Sequence, residues 1–192
     1  YENKDKIILD LCGGTGAWSE PYRKAGYDVR VITLPDWDVT KPFTQNHCMN
    51  CKPYGILAAP PCTEFSLAKS TKPRDFKMGM EIVRSCLDII WHCRIEGSLK
   101  WWAMENPRGF LRQFIGKPAF TFEQWEFGDK GIKPTDLWGY FNEPKTSVKK
   151  RPDGMSKKYP NGRLYAMGWS KTADKRAITP ARFAEAFFKA NQ

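Results

Sequence analysis

Along the first hundred residues, short apolar runs recur between glycine turns, a helical-period stretch and polar loops. Ile7 to Leu11 is almost continuously apolar, the pattern of a parallel strand buried on both faces. Gly13, Gly14 and Gly16 predict a turn, a short helix follows, and Val29 to Thr33 predicts the next strand. "YGILAA" (54 to 59) predicts a third buried strand. Ile82, Cys86, Ile89, Ile90 and Cys93 then recur at helical spacing, which predicts an amphipathic helix. "KWWAMEN" (100 to 106) predicts a fourth strand that ends in polar residues. This alternation predicts an α/β fold with a doubly wound, mostly parallel, Rossmann-like sheet, whose ligands bind outside the carboxyl ends of the strands.

After Pro107 the pattern breaks into shorter β-like pieces, "WEFG", "DLWGYF" and "RLYAMGW", separated by Pro, Gly and Lys. Residues 118–175 therefore read as an irregular extension on one domain, with the core formed by 1–117 and 176–192. Thr179-Pro180 predicts a helix start, with Thr as cap and Pro in the first turn. Phe183, Ala184, Phe187 and Phe188 put an apolar face on that helix, which is expected to pack back on the sheet.

The 192 residues suffice for one core without disulfide support. Six cysteines and no apolar run near the roughly 20 residues of a membrane span point to a soluble protein in a reducing compartment. Cytoplasmic location without signal or transmembrane segment, a monomer and no membrane partner are the expectations. The formal net charge is +10, and residues 143 to 176 hold ten Lys or Arg against three acids. Such a local excess suggests a polyanion, nucleic acid being the commonest. A solvated basic face is the plainer alternative.

Three stretches carry chemistry. In "LDLCGGTGAWS" the glycines allow close backbone approach between strand and helix, and Asp10 at the strand end can meet a charged group. The P-loop lysine and the dinucleotide spacing are both missing, so a methyl-donor nucleoside fits better than a phosphate. Its cationic amino-acid end suits Asp10, and Trp18 is expected to stack on its adenine. In "PPCTEFS", Cys62 follows a strand outside any apolar pattern, stiffened by Pro60 and Pro61. A nucleophilic thiol must ionise, and Lys69 and Arg74 are the candidate cations that help it. In "AMENPRG", Glu105 places a carboxyl on the same rim, suited to general acid work. "HCMNC" (47 to 51) lacks a second ligand pair, so no metal is expected.

Together these stretches resemble the DNA cytosine-5 methyltransferases. "DLCGGTGAWS" is similar to that family's D-L-F-x-G-x-G-G-x-S motif, "PPCTEFS" to its P-C-Q-x-F-S nucleophile motif and "ENP" to its E-N-V motif, in the family's order. "RAITPARFAEAF" resembles its R-x-L-T-x-R-E-x-A motif less specifically. The short form looks like versions carried by bacterial viruses, which implies a bacterial or phage-infected host cell. The resemblance implies a fold of the S-adenosylmethionine-dependent methyltransferase type. Cys62 would attack carbon 6 of a flipped cytosine, Glu105 would protonate ring nitrogen 3, and Asn106 would orient the nucleophile loop. Asp10, Leu11, Gly14, Gly16, Ala17, Trp18, Asp38 and Pro60 would hold S-adenosylmethionine. Double-stranded DNA is the implied partner. Its candidate contacts are Ser66, Lys69, Lys72, Arg74 and Arg108 near the site, and Lys149, Lys150, Arg151, Arg163 and Arg176 in the basic segment.

The sequence departs from the family pattern in places. No Q-x-R-x-R motif is visible, and Lys133 and Thr135 in "GIKPTDLWG" stand as its substitutes. Thr33-Leu34-Pro35 replaces the usual acidic residue after the second strand, and no G-N-S-V motif follows the last match, so the terminal helix is expected to cover the donor pocket instead. The span free for target recognition is short, which implies a site of about two to four base pairs. Two alternatives remain at this stage: a relative that methylates RNA cytosine, such as in tRNA, and an inactive DNA-binding or regulatory relative.

Overall fold

A computed structural model describes residues 3–67, 73–129, 131–153, 156–158, 164–166, 175 and 177–192. Six strands form one sheet in the order β2-β1-β3-β4-β6-β5. They are β1 (Ile7–Leu11), β2 (Asp28–Ile32), β3 (Gly55–Ala58), β4 (Trp101–Pro107), β5 (Phe120–Glu123) and β6 (Pro134–Tyr140). β1 pairs in parallel with β2 and β3, and β3 with β4. β6 is antiparallel to both β4 and β5, so it alone opposes the common direction. The sheet is the Rossmann-like, mostly parallel one expected from the sequence.

Both faces are covered, which explains why the strands read as nearly continuous apolar runs. Leu9, Leu11, Ile56, Ala58 and Met104 face α2 (Pro42–Asn50) and α3 (Phe76–Ile95), meeting Cys48, Val83, Cys86, Ile89, Ile90 and Cys93. Ile8, Leu57, Trp101 and Ala103 belong to the opposite layer, with Tyr22 of α1 (Glu20–Lys24) and three residues of the terminal helix, here α5 (Ala181–Ala190). α4 (Leu111–Ile115) follows β4 and buries Leu111. No helix among the described residues is long and apolar enough to cross a membrane.

Two expectations need correction. The core does not stop at residue 117. Phe122 and Leu137 are buried, and β6 forms a six-residue ladder with β4, so 120 to 140 belong to the main sheet. The piece "WEFG" is a 3-10 turn (Gln124–Phe127) rather than a strand, and β7 (Ser156–Lys158) with β8 (Leu164–Ala166) makes a separate two-stranded sheet. Secondly, α5 starts one residue later than predicted, with Pro180 as the capping position and no side-chain cap of its own. Its first amides, Arg182 N and Phe183 N, donate instead to the Asp129 carboxylate at 3.4 and 3.1 Å. A distant acid thus neutralises the open N–H groups and the positive end of the helix dipole.

Candidate active site

Asp10 is the polar interruption in β1, and it is fully buried. Ser19 Oγ donates to its Oδ2 at 2.5 Å, while Oδ1 has no partner in the protein. A Cβ on Gly13 would overlap the Asp10 carboxyl group, so the turn needs glycine there to pass over the acid. Gly14 and Gly16 take φ of 55° and 72°, the left-handed region that glycine enters freely. Burial pushes the Asp10 carboxyl up to about 6, against the pull of the Ser19 hydrogen bond and the Arg23 charge.

Cys62 lies just beyond β3, in a loop held at several points. Asn106, fully buried at the end of β4, donates from Nδ2 to the Pro60 carbonyl at 2.9 Å. Phe65 N and Ser66 N donate to the Cys62 carbonyl at 3.0 and 2.8 Å, closing a tight turn. Phe65 anchors that turn: its ring is fully buried beside Phe76 and Phe114, and its carbonyl accepts from Phe110 N at 2.9 Å. Glu64 holds the start of α3 by accepting from Asp75 N at 2.7 Å. Arg74 donates to the Glu64 carbonyl at 2.8 Å and stacks on Phe110. Backbone polar groups are thereby satisfied locally, and the thiol is presented by a braced segment.

Cys62, Glu105 and Lys133 line one cavity of about 440 Å³ together with Asp10, Gly14 and Ala17. That volume suits a nucleoside-sized ligand, for which roughly 300–1,000 Å³ is usual. Burial raises the Cys62 thiol above its ordinary value, the Lys133 ammonium opposes this, and Glu105 adds to it. Burial likewise raises the Glu105 carboxyl, with Lys133 lowering it and Asp136 raising it further. One cation therefore acts on both Cys62 and Glu105. A carboxyl raised in this way holds its proton more readily, which is the property a proton donor needs.

The placement corrects several sequence expectations. Trp18 lines the cavity but is only 2% exposed, packing on Phe183 and Phe187 of α5 with ring centroids at 5.8 and 5.4 Å. Among the described residues the cation that acts on Cys62 is Lys133, while Arg74 donates to the Glu64 carbonyl and stacks on Phe110. Pro60 lines the cavity, whereas Leu11, Gly16 and Asp38 do not. Leu11 faces the core, and the Asp38 carboxylate accepts from Thr40 N and Oγ1 at 2.9 and 2.7 Å. Thr135 is buried on β6 and lines a small neighbouring cavity with Glu105 and Lys133. Ala177, Ile178 and Thr179, just before α5, line the cavity, and no residue of α5 itself does.

Ser66 forms an isolated bridge with Gly109, and Arg108, Lys149 and Lys150 are exposed. Arg151 pairs with Glu123 at 3.4 Å, which offsets its charge. Lys69, Lys72, Arg163 and Arg176 lie outside the described residues. Sequence reasoning missed Ser19 and the 177–179 wall. Ser19 sits nine residues after Asp10 within the quoted glycine motif, the one signal that pointed to it. Among the described residues no group of His, Cys, Asp or Glu is arranged to hold a metal ion. A larger cavity of about 780 Å³ lies between α5 and residues 142–147, away from Cys62 and Glu105.

No protein-family model matches the chain, and no curated protein matches it. Among solved structures it is similar to a crystal structure of a Spodoptera frugiperda DNMT2 mutant, with a TM-score of 0.46 and 16% identity over 77% of this chain. The match covers 53% of that chain, so the protein spans about half its length.

Proposed function

We propose that the protein is a methyltransferase that attacks its acceptor through a thiolate. More narrowly, it transfers a methyl group from S-adenosylmethionine to carbon 5 of cytosine in double-stranded DNA. The observation that carries this reading is the meeting of Cys62, Glu105 and Lys133 with Asp10 and the glycine turn around a single cavity.

The residues present fit the donor. The unpartnered Oδ1 of Asp10 offers a buried acceptor to its ammonium group, and Gly14, Ala17 and Pro60 leave room for its body. S-adenosylmethionine supplies an electrophilic methyl on a sulfonium. Cys62, as the thiolate, forms a bond to carbon 6 of the cytosine ring while Glu105 gives its proton to nitrogen 3, leaving carbon 5 electron-rich. After methylation, water takes the carbon 5 proton, the electron pair left behind restores the ring double bond and expels the thiolate, and the proton on nitrogen 3 returns to Glu105. Covalent addition thus divides one hard step into easier ones. Lys133 favours the thiolate over the thiol, and Asn106 fixes the loop that aims it. The cytosine must leave the base stack to reach them, at a cost of a few kcal/mol. The exposed Arg108, Lys149 and Lys150 are suited to phosphates, which position the duplex without reading its sequence.

The test is bisulfite sequencing of duplex DNA incubated with the protein and S-adenosylmethionine, with tRNA treated in parallel. Methylated cytosines in DNA are expected. Modification confined to tRNA would replace the DNA reading with an RNA one, and no modification of either would leave a binding protein without this activity.

Donor binding should also depend on pH. The buried Asp10 carboxyl, raised to about 6, is ionised above that pH and neutral below it. Attraction for an ammonium group is therefore present at pH 7 and lost as the pH falls through 6, by roughly tenfold per unit. Calorimetric titration with S-adenosylhomocysteine between pH 5 and 8 measures this, and Asp10→Asn should bind weakly with a flat profile. An unchanged affinity across that range in the wild type contradicts the role of Asp10.

A further inference from the structure

Five buried side-chain polar atoms among the described residues have no hydrogen-bond partner: Asp10 Oδ1, Trp18 Nε1, Trp101 Nε1, Asn106 Oδ1 and Arg151 Nε. Of the five residues, only Asp10 and Trp18 line the cavity that holds Cys62. Their orphan atoms are opposite in kind. The carboxylate oxygen can only accept when ionised, and the indole N–H can only donate. They flank one glycine turn, with Asp10 before it and Trp18 after it.

A buried donor or acceptor without a partner costs stability, and each such group calls for an explanation. The Trp18 ring packs against Phe183 and Phe187, with centroids at 5.8 and 5.4 Å, and these contacts orient the indole. Ser19, the next residue, already holds the other Asp10 oxygen, which fixes the acid in place. The turn therefore carries one acceptor for a cation and one donor for an anion, held rigidly by separate neighbours. An α-amino acid presents both charges on a single carbon.

Resting on the methyl-donor reading above, we propose that the Trp18 indole N–H donates to the α-carboxylate of the donor's amino-acid end, while Asp10 accepts from its ammonium. Trp18 then serves the donor through its edge and not through its face. A hydrogen bond to a charged acceptor is stronger than one between neutral groups. The pair selects ligands that carry a free amino-acid terminus.

The variant Trp18→Phe keeps an aromatic ring against Phe183 and Phe187 and removes only the donor. Calorimetry with S-adenosylhomocysteine and with its decarboxylated analogue, which keeps the amine, separates the possibilities. The variant should bind S-adenosylhomocysteine roughly tenfold or more weakly, the loss expected for one hydrogen bond to a charged group. It should bind the decarboxylated analogue as the wild type does, within about twofold. Equal weakening toward both ligands, or no weakening, overturns the proposal and leaves the indole N–H as a packing defect. If the variant does not fold, the wild type still decides: its Trp18 indole N–H resonance should move downfield with S-adenosylhomocysteine and stay in place with the analogue. A wild type that binds neither ligand overturns the methyl-donor reading itself, and this inference with it.

Discussion

Cys62→Ser is expected to lower methyl transfer by at least about 10³-fold, since removal of a covalent nucleophile commonly costs that much or more. Serine matches the shape of cysteine, so the turn closed by Phe65 N and Ser66 N on the residue 62 carbonyl should form unchanged. Donor affinity should stay within about twofold, because the groups assigned to the donor's charged end, Asp10 and Trp18, sit on the glycine turn. The serine hydroxyl fails for an energetic reason. Lys133 only partly offsets the burial that raises the Cys62 thiol, and a hydroxyl starts from a far higher pKa. Radiolabelled methyl transfer with calorimetry on the same sample checks both halves. Substantial turnover in the variant removes the thiol from the mechanism.

Glu105→Gln is the second large effect, expected at about 10²- to 10⁴-fold on kcat/KM, the range for loss of a general acid. Its pH profile is more telling than its size. The active form pairs an ionised Cys62 with a protonated Glu105, although burial raises both groups and the thiol starts from the higher value. Between the two titrations, each step upward in pH gains thiolate and loses the protonated acid in equal measure. The wild-type rate should therefore be flat across that interval. In Glu105→Gln the acid no longer titrates, so the residual rate should climb about tenfold per pH unit with the thiolate fraction. Parallel profiles in the two proteins would place the proton transfer elsewhere.

The four parallel strands and the long helix were legible because each is a local pattern: a short run buried on both faces, or a 3.6-residue stripe ending at Cys93. β5 and β6 were harder. They are joined by a 3-10 turn and an irregular loop, and β6 enters the sheet in reverse beside β4, a pairing between residues about thirty apart that no local period records. The cap on α5 failed for the same reason, since Asp129 lies more than fifty residues before the amides it accepts from. At the site, the strand-end rule brought Asp10, Cys62 and Glu105 to one rim. It could not tell that Trp18 would both line the cavity and pack on Phe183 and Phe187, because an aromatic near a glycine turn suits a ligand and a core equally well. Charge alone likewise offered Lys69 and Arg74 as partners of Cys62; Lys69 lies outside the described residues, and Arg74 instead contacts Glu64 and Phe110.

The claim on which the rest depends is that Cys62 bonds to the cytosine ring during turnover. Duplex DNA carrying 5-fluorocytosine tests it directly, because the fluorine cannot leave as the carbon 5 proton does and the adduct cannot break down. Incubation with S-adenosylmethionine should give a denaturation-resistant complex whose peptide map places the bond on Cys62, and Cys62→Ser should give none. Methylation of ordinary cytosine by a protein that forms no such complex, or an adduct that maps to another residue, contradicts the account.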